Sequence, residues 1–331
     1  GLVARFIKAK TLLYAASPAY SDGTYTYQMA AVAAADFMAN NNGLASVGSA
    51  VEFYNTTSVT SVNNEHPEVF WYSYFQNNQN SWEVMNYSPS MYGEGLTNPT
   101  QDLVNAFPMI DGTPAPGNKI NSSDPYSGRD ERLGKYILYN GAQFVSSGKT
   151  ITINTALGSQ DALGSQDVFA TKTGYYLKKF MNTSNVNLDP SVNSKGLRYY
   201  TYARYTDVLL MFAEAANEAV GPDGNVGGYN AREVINAIRA RAGITSSTYV
   251  DGLGKPQMTD LIRNERRIEM CFEKQRFWDL RRWKLTSTMN SPVNGVEVSA
   301  DGTIYNYLQV EDRSYEDYQI YGPIPYGETL K

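Results

Sequence analysis

Four acidic residues in the C-terminal third are the first candidates for chemistry. Glu265, Glu269 and Glu273 are spaced four apart in a stretch expected to be helical, and Asp279 follows them. A glycoside hydrolase needs two carboxylates that flank the scissile bond. Residues spaced four apart on one helix project from the same face, so these acids do not fit that geometry. We expect them instead to form a structural ion-pair network. The arginines near them in the sequence are Arg239, Arg241, Arg263, Arg266, Arg267, Arg276, Arg281 and Arg282.

Other catalytic and metal-binding chemistries have few candidate residues. The chain has one histidine, His66, and one cysteine, Cys271, so the usual zinc sites and an intrachain disulfide lack partners. Cys271 is expected to be a buried, inert thiol within a helix. Neither a Gly-x-Ser-x-Gly elbow nor a Gly-x-x-x-x-Gly-Lys-Ser/Thr phosphate loop occurs. No cofactor is expected, although Asp, Asn and backbone carbonyls are plentiful enough to hold a structural calcium ion.

Binding chemistry is favoured by a stretch rich in aromatic and amide side chains, residues 71–92. A sugar ring presents an apolar face to flat aromatic rings and hydroxyl groups to polar side chains, and Tyr and Trp combine both properties. The predicted stacking platforms are Trp82, Tyr87 and Tyr92. The predicted polar partners are Asn77, Asn78 and Asn86.

Other aromatic residues are interpreted as packing groups. Residues 71–75 (Trp-Tyr-Ser-Tyr-Phe) are expected to be a buried anchor that holds this region to the rest of the protein. Trp278 and Trp283 fall in a predicted helix and are expected to lie in the core.

Composition narrows the class of ligand. The 331 residues carry a net charge of −5, so the protein lacks the basic surface that nucleic acid requires. There are 26 tyrosines against 12 phenylalanines, which favours wet, planar contacts over a purely apolar core. No run of about 18 apolar residues predicts a membrane-spanning helix.

The hydrophobic periodicity predicts a helical scaffold in two parts. Helices are expected over residues 1–16 and about 27–40, and the alanine-rich second helix suits close packing in a hairpin of the tetratricopeptide kind. After Arg204, helices are predicted from Thr206, as a capping residue, to about Val220, over about 231–242 with Gly243 at the end, and over about 259–283. We predict a single domain with its scaffold at residues 1–40 and 204–285 and a tail at 286–331.

Residues 41–203 are predicted to be a large, loop-rich insertion that displays the binding site. It contains one short helix near residues 100–106 and short strands at 136–139 and 151–154 around an Asn140-Gly141 turn. Residues 156–161 (Ala-Leu-Gly-Ser-Gln-Asp) are repeated at once as residues 162–167. Such a duplication is expected only in an exposed loop.

Several segments, in order along the chain, resemble the SusD/RagB family. The C-terminal part of the resemblance lies in residues 204–215, 235–243, 262–269 and 276–283. Upstream matches are residues 99–109 with Asp111-Gly112 and residues 129–133, where the family more often has Pro than Glu131; a late match follows at residues 323–325. The resemblance implies a mainly α-helical fold in which tetratricopeptide-like hairpins support the loop-rich, short-stranded insertion.

The resemblance also implies a function and a location. Members of this family are lipid-anchored at the outer membrane, facing outside, and present oligosaccharide, or sometimes peptide, to a SusC-like TonB-dependent transporter without catalysis. Because residues 1–10 already read as the inside of a helix, without an initiating Met, signal peptide or lipidation cysteine, we expect an N-terminal part with the lipid anchor and some of the site to precede them. The alternatives are a peptide-binding member, a glycan-active enzyme and a structural adaptor.

Overall fold

The computed structural model describes residues 1–49, 68–73, 76–119, 123–146, 148–182, 185–322 and 324–331. His66, Tyr74, Phe75 and Pro323 lie outside the described residues. The predicted fold class, mainly α with short strands in the insertion, is confirmed. The single-domain boundaries stay a prediction.

Twelve α-helices are present in the described ranges, and none of them is both long and apolar enough to cross a membrane. Their bounds are α1 (Leu2–Ala16), α2 (Tyr27–Ala39), α3 (Ser81–Asn86), α4 (Gln101–Ala106), α5 (Arg132–Tyr136), α6 (Tyr205–Val220), α7 (Ala231–Arg241), α8 (Thr248–Asp251), α9 (Lys255–Glu269), α10 (Arg276–Arg282), α11 (Thr286–Asn290) and α12 (Tyr326–Thr329). The predictions for α1, α2, α4 and α7 are confirmed within a residue or two.

The largest core lies between five of these helices. Helix α2 packs against α1 and α6, and α6 also contacts α7 and α9. Ala30, Ala31 and residues 33–35 of α2 are all buried, since small side chains let the helices approach closely. The sequence predicted one apolar side for α6, but every residue from Tyr205 to Asn217 is buried. Helix α6 is therefore the central helix of the scaffold.

The N-terminus of α6 is capped differently from the prediction. Its N-cap residue is Arg204, without a side-chain capping bond. The Thr206 amide donates to the Glu68 carboxylate at 3.0 Å, and the Thr206 hydroxyl donates to the same oxygen. A carboxylate beside the first turn satisfies free N–H groups and complements the helix dipole. Glu68, far away in the sequence, thus replaces the local cap.

Pairs of short antiparallel strands hold the insertion, and one further pair lies in the C-terminal tail. The strands are β1 (Val69–Tyr72), β2 (Gln76–Gln79), β3 (Ile137–Leu138), β4 (Gln143–Ser146), β5 (Lys149–Thr152), β6 (Tyr176–Leu177), β7 (Gly196–Arg198), β8 (Thr201–Arg204), β9 (Val293–Val298) and β10 (Tyr305–Glu311). They pair as β1 with β8, β2 with β7, β3 with β6, β4 with β5, and β9 with β10. The first two pairs join both ends of the insertion directly before α6.

The predicted strands at 136–139 and 151–154 exist in part, but the predicted hairpin between them is wrong. Strand β3 pairs with β6, and β5 pairs with β4 through the connection between Ser146 and Lys149. Asn140 instead accepts the Thr155 amide at 3.0 Å. The Asn140-Gly141 turn therefore precedes the hairpin.

The duplicated segment is only partly exposed. Asp161, the last residue of the first copy, is buried and accepts the Ser90 amide at 2.8 Å and the Ser90 hydroxyl at 2.5 Å. Asp167, the equivalent residue of the second copy, accepts the exposed Phe169 amide at 3.0 Å. The prediction of an exposed loop is wrong for Ala156, Asp161 and Ala162, which are buried, and it holds for only part of each copy.

The predicted long helix at 259–283 is two helices separated by a turn. Helix α9 ends at Glu269, and Phe272 and Lys274 adopt the left-handed conformation, at φ +63° and +62°, before α10 begins at Arg276. Cys271 lies in this turn and not within a helix; it is buried as predicted, and burial raises the pKa of its thiol to about 11. The stripe of acids is therefore not carried by one continuous helix.

The acids form the predicted ion-pair network, although most of their partners come from distant segments. Arg204, which is almost fully buried, donates to Glu68 at 2.8 Å, to Glu269 at 3.0 Å and to both oxygens of Glu273 at 2.8 Å. Arg132 contacts Glu265 at 2.5 Å and Glu269 at 2.8 Å. The insertion is thereby tied to α9.

A second centre of the network lies beside α6. Arg266 donates to Asp207 at 2.7 Å and to Asp279 at 2.8 Å. Arg282 contacts Asp279 at 2.9 Å and also pairs with Glu214. These contacts fix α9 and α10 against the central helix.

Candidate functional site

An aromatic-lined cleft of about 600 Å³ opens where the insertion meets α1 and the turn between α9 and α10. Its volume lies within the range of small-molecule sites. Its lining residues are Lys10, Tyr14, Trp82, Phe180, Arg198, Tyr199, Tyr200, Thr201, Tyr202, Phe272, Glu273, Lys274, Gln275 and Trp278. We call this set the aromatic cleft.

One wall is made by the segment between β7 and β8 together with the start of β8. Side chains two residues apart on an extended chain share a face. Tyr200 and Tyr202 are accordingly exposed by 45% and 57%, while Tyr199 is buried against Tyr72 with ring centroids 5.8 Å apart. The backbone of Tyr200 is held by two 2.8 Å hydrogen bonds to Ser73. These contacts hold two tyrosine rings in position at the cleft.

Two further rings come from residues with unusual backbone conformation. Phe180 and Phe272 have φ values of +70° and +63°, in a region that bulky residues rarely adopt. Lys274, also in the cleft lining, has φ +62°. Strained residues of this kind persist only where the surrounding structure holds them, and they are concentrated at ligand sites.

Lys179 holds these strained residues in place. Its buried ammonium donates to the carbonyls of Glu269 at 2.8 Å and Cys271 at 3.2 Å and to the Glu273 carboxylate at 2.7 Å. Lys179 therefore clamps the turn after α9 against the segment that carries Phe180.

Trp82, on α3, is positioned by a buried ion pair. Arg198 pairs with Glu83 and donates to the Phe180 carbonyl at 3.2 Å, and its guanidinium carbon lies 5.8 Å from the centre of the Trp82 ring. The ring also meets Phe180 edge to face at 6.4 Å. The indole N–H of Trp82 has no hydrogen-bond partner among the described residues.

The polar groups of the cleft are few. Lys10 donates to Gln275 at 3.0 Å and to Asp207 at 3.5 Å. Glu273 is the single carboxylate among the described lining residues. Burial alone would raise the pKa of Glu273, but Arg204 and Lys179 outweigh burial and lower it, so this acid is ionised and ion-paired. Burial raises the pKa of the Tyr14 and Tyr199 phenols to about 12, so both are neutral at physiological pH.

Of the predicted platforms, Trp82 lies in the cleft and the other two do not. Tyr87 is 2% exposed, meets Phe144 edge to face at 5.2 Å, and donates to buried carbonyls. A ring without an accessible face cannot stack on a sugar, so the structure does not support Tyr87 as a platform. Tyr92 is exposed but is not among the residues that line the cleft.

The predicted polar partners also lie outside the cleft lining. Asn86 is buried and donates to the Trp82 carbonyl at 2.8 Å, which makes it a packing residue. Asn78 is exposed, at φ +59°, on β2. The side chain of Asn77 lies outside the described residues, so its role stays a prediction.

Several cleft residues were missed by sequence reasoning. Trp278 was expected in the core but is 49% exposed, because the turn before α10 rotates it outward, whereas Trp283 is buried as predicted. The run from Tyr199 to Tyr202 directly before α6 was the available signal for the tyrosine wall. Within residues 71–75, Trp71 is 37% exposed and therefore only partly fits a buried anchor.

No metal site is assigned. Within the described ranges, no three His, Cys, Asp or Glu side chains are grouped to hold a metal ion. A calcium ion held by amide and backbone oxygens stays a prediction.

A family model for the SusD family matches residues 20–331 of this chain. Among curated proteins, SusD-like protein P38 of Formosa agariphila is 32% identical over 117 residues, which cover 34% of this chain and 22% of that protein. SusD-like protein P2 of the same organism is 35% identical over 103 residues, which cover 30% and 19% of the two chains.

Solved structures share the fold over nearly the whole chain. A SusD-like protein from Bacteroides fragilis superposes with a TM-score of 0.76 at 25% identity, over 99% of this chain and 63% of that one. A SusD-like carbohydrate binding protein from the same organism superposes with a TM-score of 0.69 at 21% identity, also over 99% and 63%. This chain therefore spans less than two thirds of the length of these relatives.

Proposed function

The chain belongs to the SusD family, and from that premise we propose that it binds glycan in the aromatic cleft and leaves the glycosidic bonds intact. The observation that carries this proposal is the cluster of exposed rings, Tyr200, Tyr202 and Trp278, around one cavity of about 600 Å³. Flat rings with polar edges suit the alternating apolar and hydroxyl surfaces of a sugar. A relative with the same fold is named as carbohydrate binding.

The arrangement of charge supports binding without hydrolysis. Hydrolysis of a glycosidic bond requires two carboxyl groups on either side of the bond. The described cleft lining offers one carboxylate, Glu273, and it is already engaged by Arg204 and Lys179. Glu265 and Glu269 are buried within the ion-pair network and are not among the lining residues.

Delivery to a SusC-like TonB-dependent transporter at the outer membrane belongs to the same proposal. Family membership supports it, since binding proteins of this kind work beside such a transporter. Lipid anchoring on the extracellular face and transporter contact are tested by cell fractionation and by copurification of the natural full-length protein with its transporter.

The binding proposal is tested by isothermal titration with malto-, cello-, laminari- and xylo-oligosaccharides after a glycan-array screen. We expect at least one ladder to bind, and Tyr202→Ala and Trp278→Ala each to weaken binding about tenfold or more, the size of an interface hot spot. Tyr318→Ala is the matched control, because Tyr318 is an exposed tyrosine outside the cleft.

Three results would contradict the proposal. Unchanged affinity in both cleft variants would remove the cleft as the site. Binding of a protein digest in preference to every polysaccharide digest would make the ligand a peptide. Reducing ends released during prolonged incubation, and lost in Glu273→Gln, would make the protein an enzyme.

A further inference from the structure

A second groove adjoins the aromatic cleft. It has a volume of about 380 Å³ and lies between α1 and the β1–β8 strand pair. Its lining residues are Phe6, Ile7, Lys10, Thr11, Trp71 and Tyr202. Lys10 and Tyr202 also line the aromatic cleft, so the two spaces meet at these residues. The side groove adds more than half as much space again to the site.

We propose that a glycan chain bound in the aromatic cleft continues past Tyr202 into this side groove, so that the protein selects long, linear chains over short oligosaccharides. This inference rests on the proposed function and adds the length and path of the ligand. Three features of the groove support it.

The first feature is a continuous aromatic surface. The Trp71 and Tyr202 rings meet edge to face with centroids 5.7 Å apart, and both rings are exposed, by 37% and 57%. The Trp71 ring is supported from α1 by Phe6 at 6.5 Å. A sugar chain that leaves the cleft over Tyr202 therefore meets a second supported ring at once.

The second feature is the polar group at the junction. An ammonium group has three N–H donors. Lys10 uses two of them, on Gln275 and Asp207, in contacts that hold its head beside the cleft. No hydrogen bond to the described residues uses the third donor, so it is available to a ligand hydroxyl. A single donor between two ring surfaces suits a neutral chain that alternates apolar faces and hydroxyl edges.

The third feature is the rigidity of the walls. Trp71 lies on β1, whose pairing with β8 places it opposite Ala203. The neighbouring Phe70 anchors this strand, since its ring lies 5.4 Å from Phe6 and 4.9 Å from Phe37. A groove built on paired strands and a helix requires little rearrangement to bind, which favours affinity.

The test is the dependence of affinity on chain length. Titrations use whichever ladder binds the native protein, from disaccharide to octasaccharide. In the native protein, affinity is expected to rise until the chain fills both spaces. Trp71→Ala is expected to weaken the longest chains about tenfold and to leave the shortest bound chain unaffected, whereas Trp278→Ala weakens all lengths alike.

A second variant covers the case in which Trp71→Ala destabilises the fold. Thr11 lies on the exposed side of α1 and lines only the side groove, so Thr11→Phe fills that groove while Trp71 stays in place. We expect the same selective loss for long chains. Thermal unfolding of both variants shows whether the fold is intact.

The outcomes separate the two proposals. If short and long chains bind the native protein equally well, or if both groove variants leave long-chain affinity unchanged, the side-groove proposal is wrong and glycan binding in the cleft stands. If the groove variants weaken short and long chains by the same factor, the side groove is not a separate extension of the site and this proposal is again wrong. If no ladder binds the native protein, both proposals fail.

Discussion

The aromatic cleft and the ion-pair network beneath it meet at the turn between α9 and α10, and they use their side chains in opposite ways. In the network, Arg204 and Lys179 are almost fully buried, and every charged head found there contacts an opposite charge. In the cleft, the exposed groups are mostly rings, such as Tyr202 and Trp278. Glu273 belongs to both regions, since its carboxylate lines the cleft and also pairs with Arg204.

This difference shows how a loop-rich insertion can present a firm binding surface. Burial of charged groups is offset only where several hydrogen bonds hold them in place, so such clusters fix geometry. The turn that carries Phe272 is held in this way by Lys179, and it has left-handed residues that local preference would not keep. We infer that charge maintains the shape of the cleft and that rings contact the ligand.

The largest effect is expected from breaking the network. Arg204→Met leaves Glu68, Glu269 and Glu273 without their shared partner in a buried site. Removal of one member of a buried ion pair lowers the free energy of unfolding by about 3–5 kcal/mol. Urea unfolding followed by circular dichroism measures the loss.

Lys135→Met is the matched control for Arg204→Met. The Lys135–Glu131 pair also joins a cation to a carboxylate, but both side chains are exposed, so its loss is expected to change stability by less than about 1 kcal/mol. Equal effects in the two variants would show that burial is not what distinguishes the network. Burial of charge would then not explain why the network holds the cleft in shape.

Acid is expected to lower the free energy of unfolding through the ion-pair network, by a smaller amount than Arg204→Met does. Burial alone would raise the pKa of Asp207, but Lys10 and Arg266 outweigh burial and lower it to about 2. A carboxyl with a lowered folded-state pKa stabilises the protein above its ordinary pKa, and that contribution is lost as pH falls through the folded value. For Asp207 the loss is about 2 kcal/mol between about pH 4 and about pH 2.

The cleft is expected to respond differently to pH. The Tyr14 and Tyr199 phenols have pKa values near 12, so neither changes charge at neutral pH. Glycan affinity measured by titration calorimetry should therefore be flat between about pH 5 and about pH 8, while the free energy of unfolding falls only at lower pH. Stability that stayed constant down to about pH 2 would contradict the role given to Asp207.

Local features of the fold were predictable from the sequence, and long-range ones were not. The bounds of α2 and α7 agree with periodicity within each helix and with a local capping residue directly before it, Thr26 or Asn230. The acids of α9 were predicted to be ion-paired, but Arg132 is 133 residues away from Glu265, so the partner could not be identified by proximity in sequence. The turn after α9 was missed because Phe272 carries no preference for φ +63°.

The site was less predictable than the fold for the same physical reason. The sequence shows the same residue whether a tyrosine ring faces a core or a cleft, and tertiary packing decides which. Tyr87 and Tyr92 were predicted from one stretch of sequence, yet α3 and the turn after it place them in opposite environments. The wall made by Tyr200 and Tyr202 required the pairing of β1 with β8, which joins residues far apart in the chain.

The smallest expected effects come from Tyr87 and Tyr92, the two predicted platforms that do not line the cleft. Tyr87→Phe removes a hydroxyl that makes long hydrogen bonds, 3.4 Å to the Asn182 carbonyl and 3.3 Å to the Val186 carbonyl, so the free energy of unfolding should fall by about 1 kcal/mol. Tyr92→Ala removes an exposed ring and should change stability by less than about 0.5 kcal/mol. Neither change should alter glycan affinity, because neither residue lines the cleft. If Tyr92→Ala weakens glycan binding while urea unfolding shows an intact fold, the binding surface extends beyond the cleft. Rings that the network does not hold in place would then also contact the ligand.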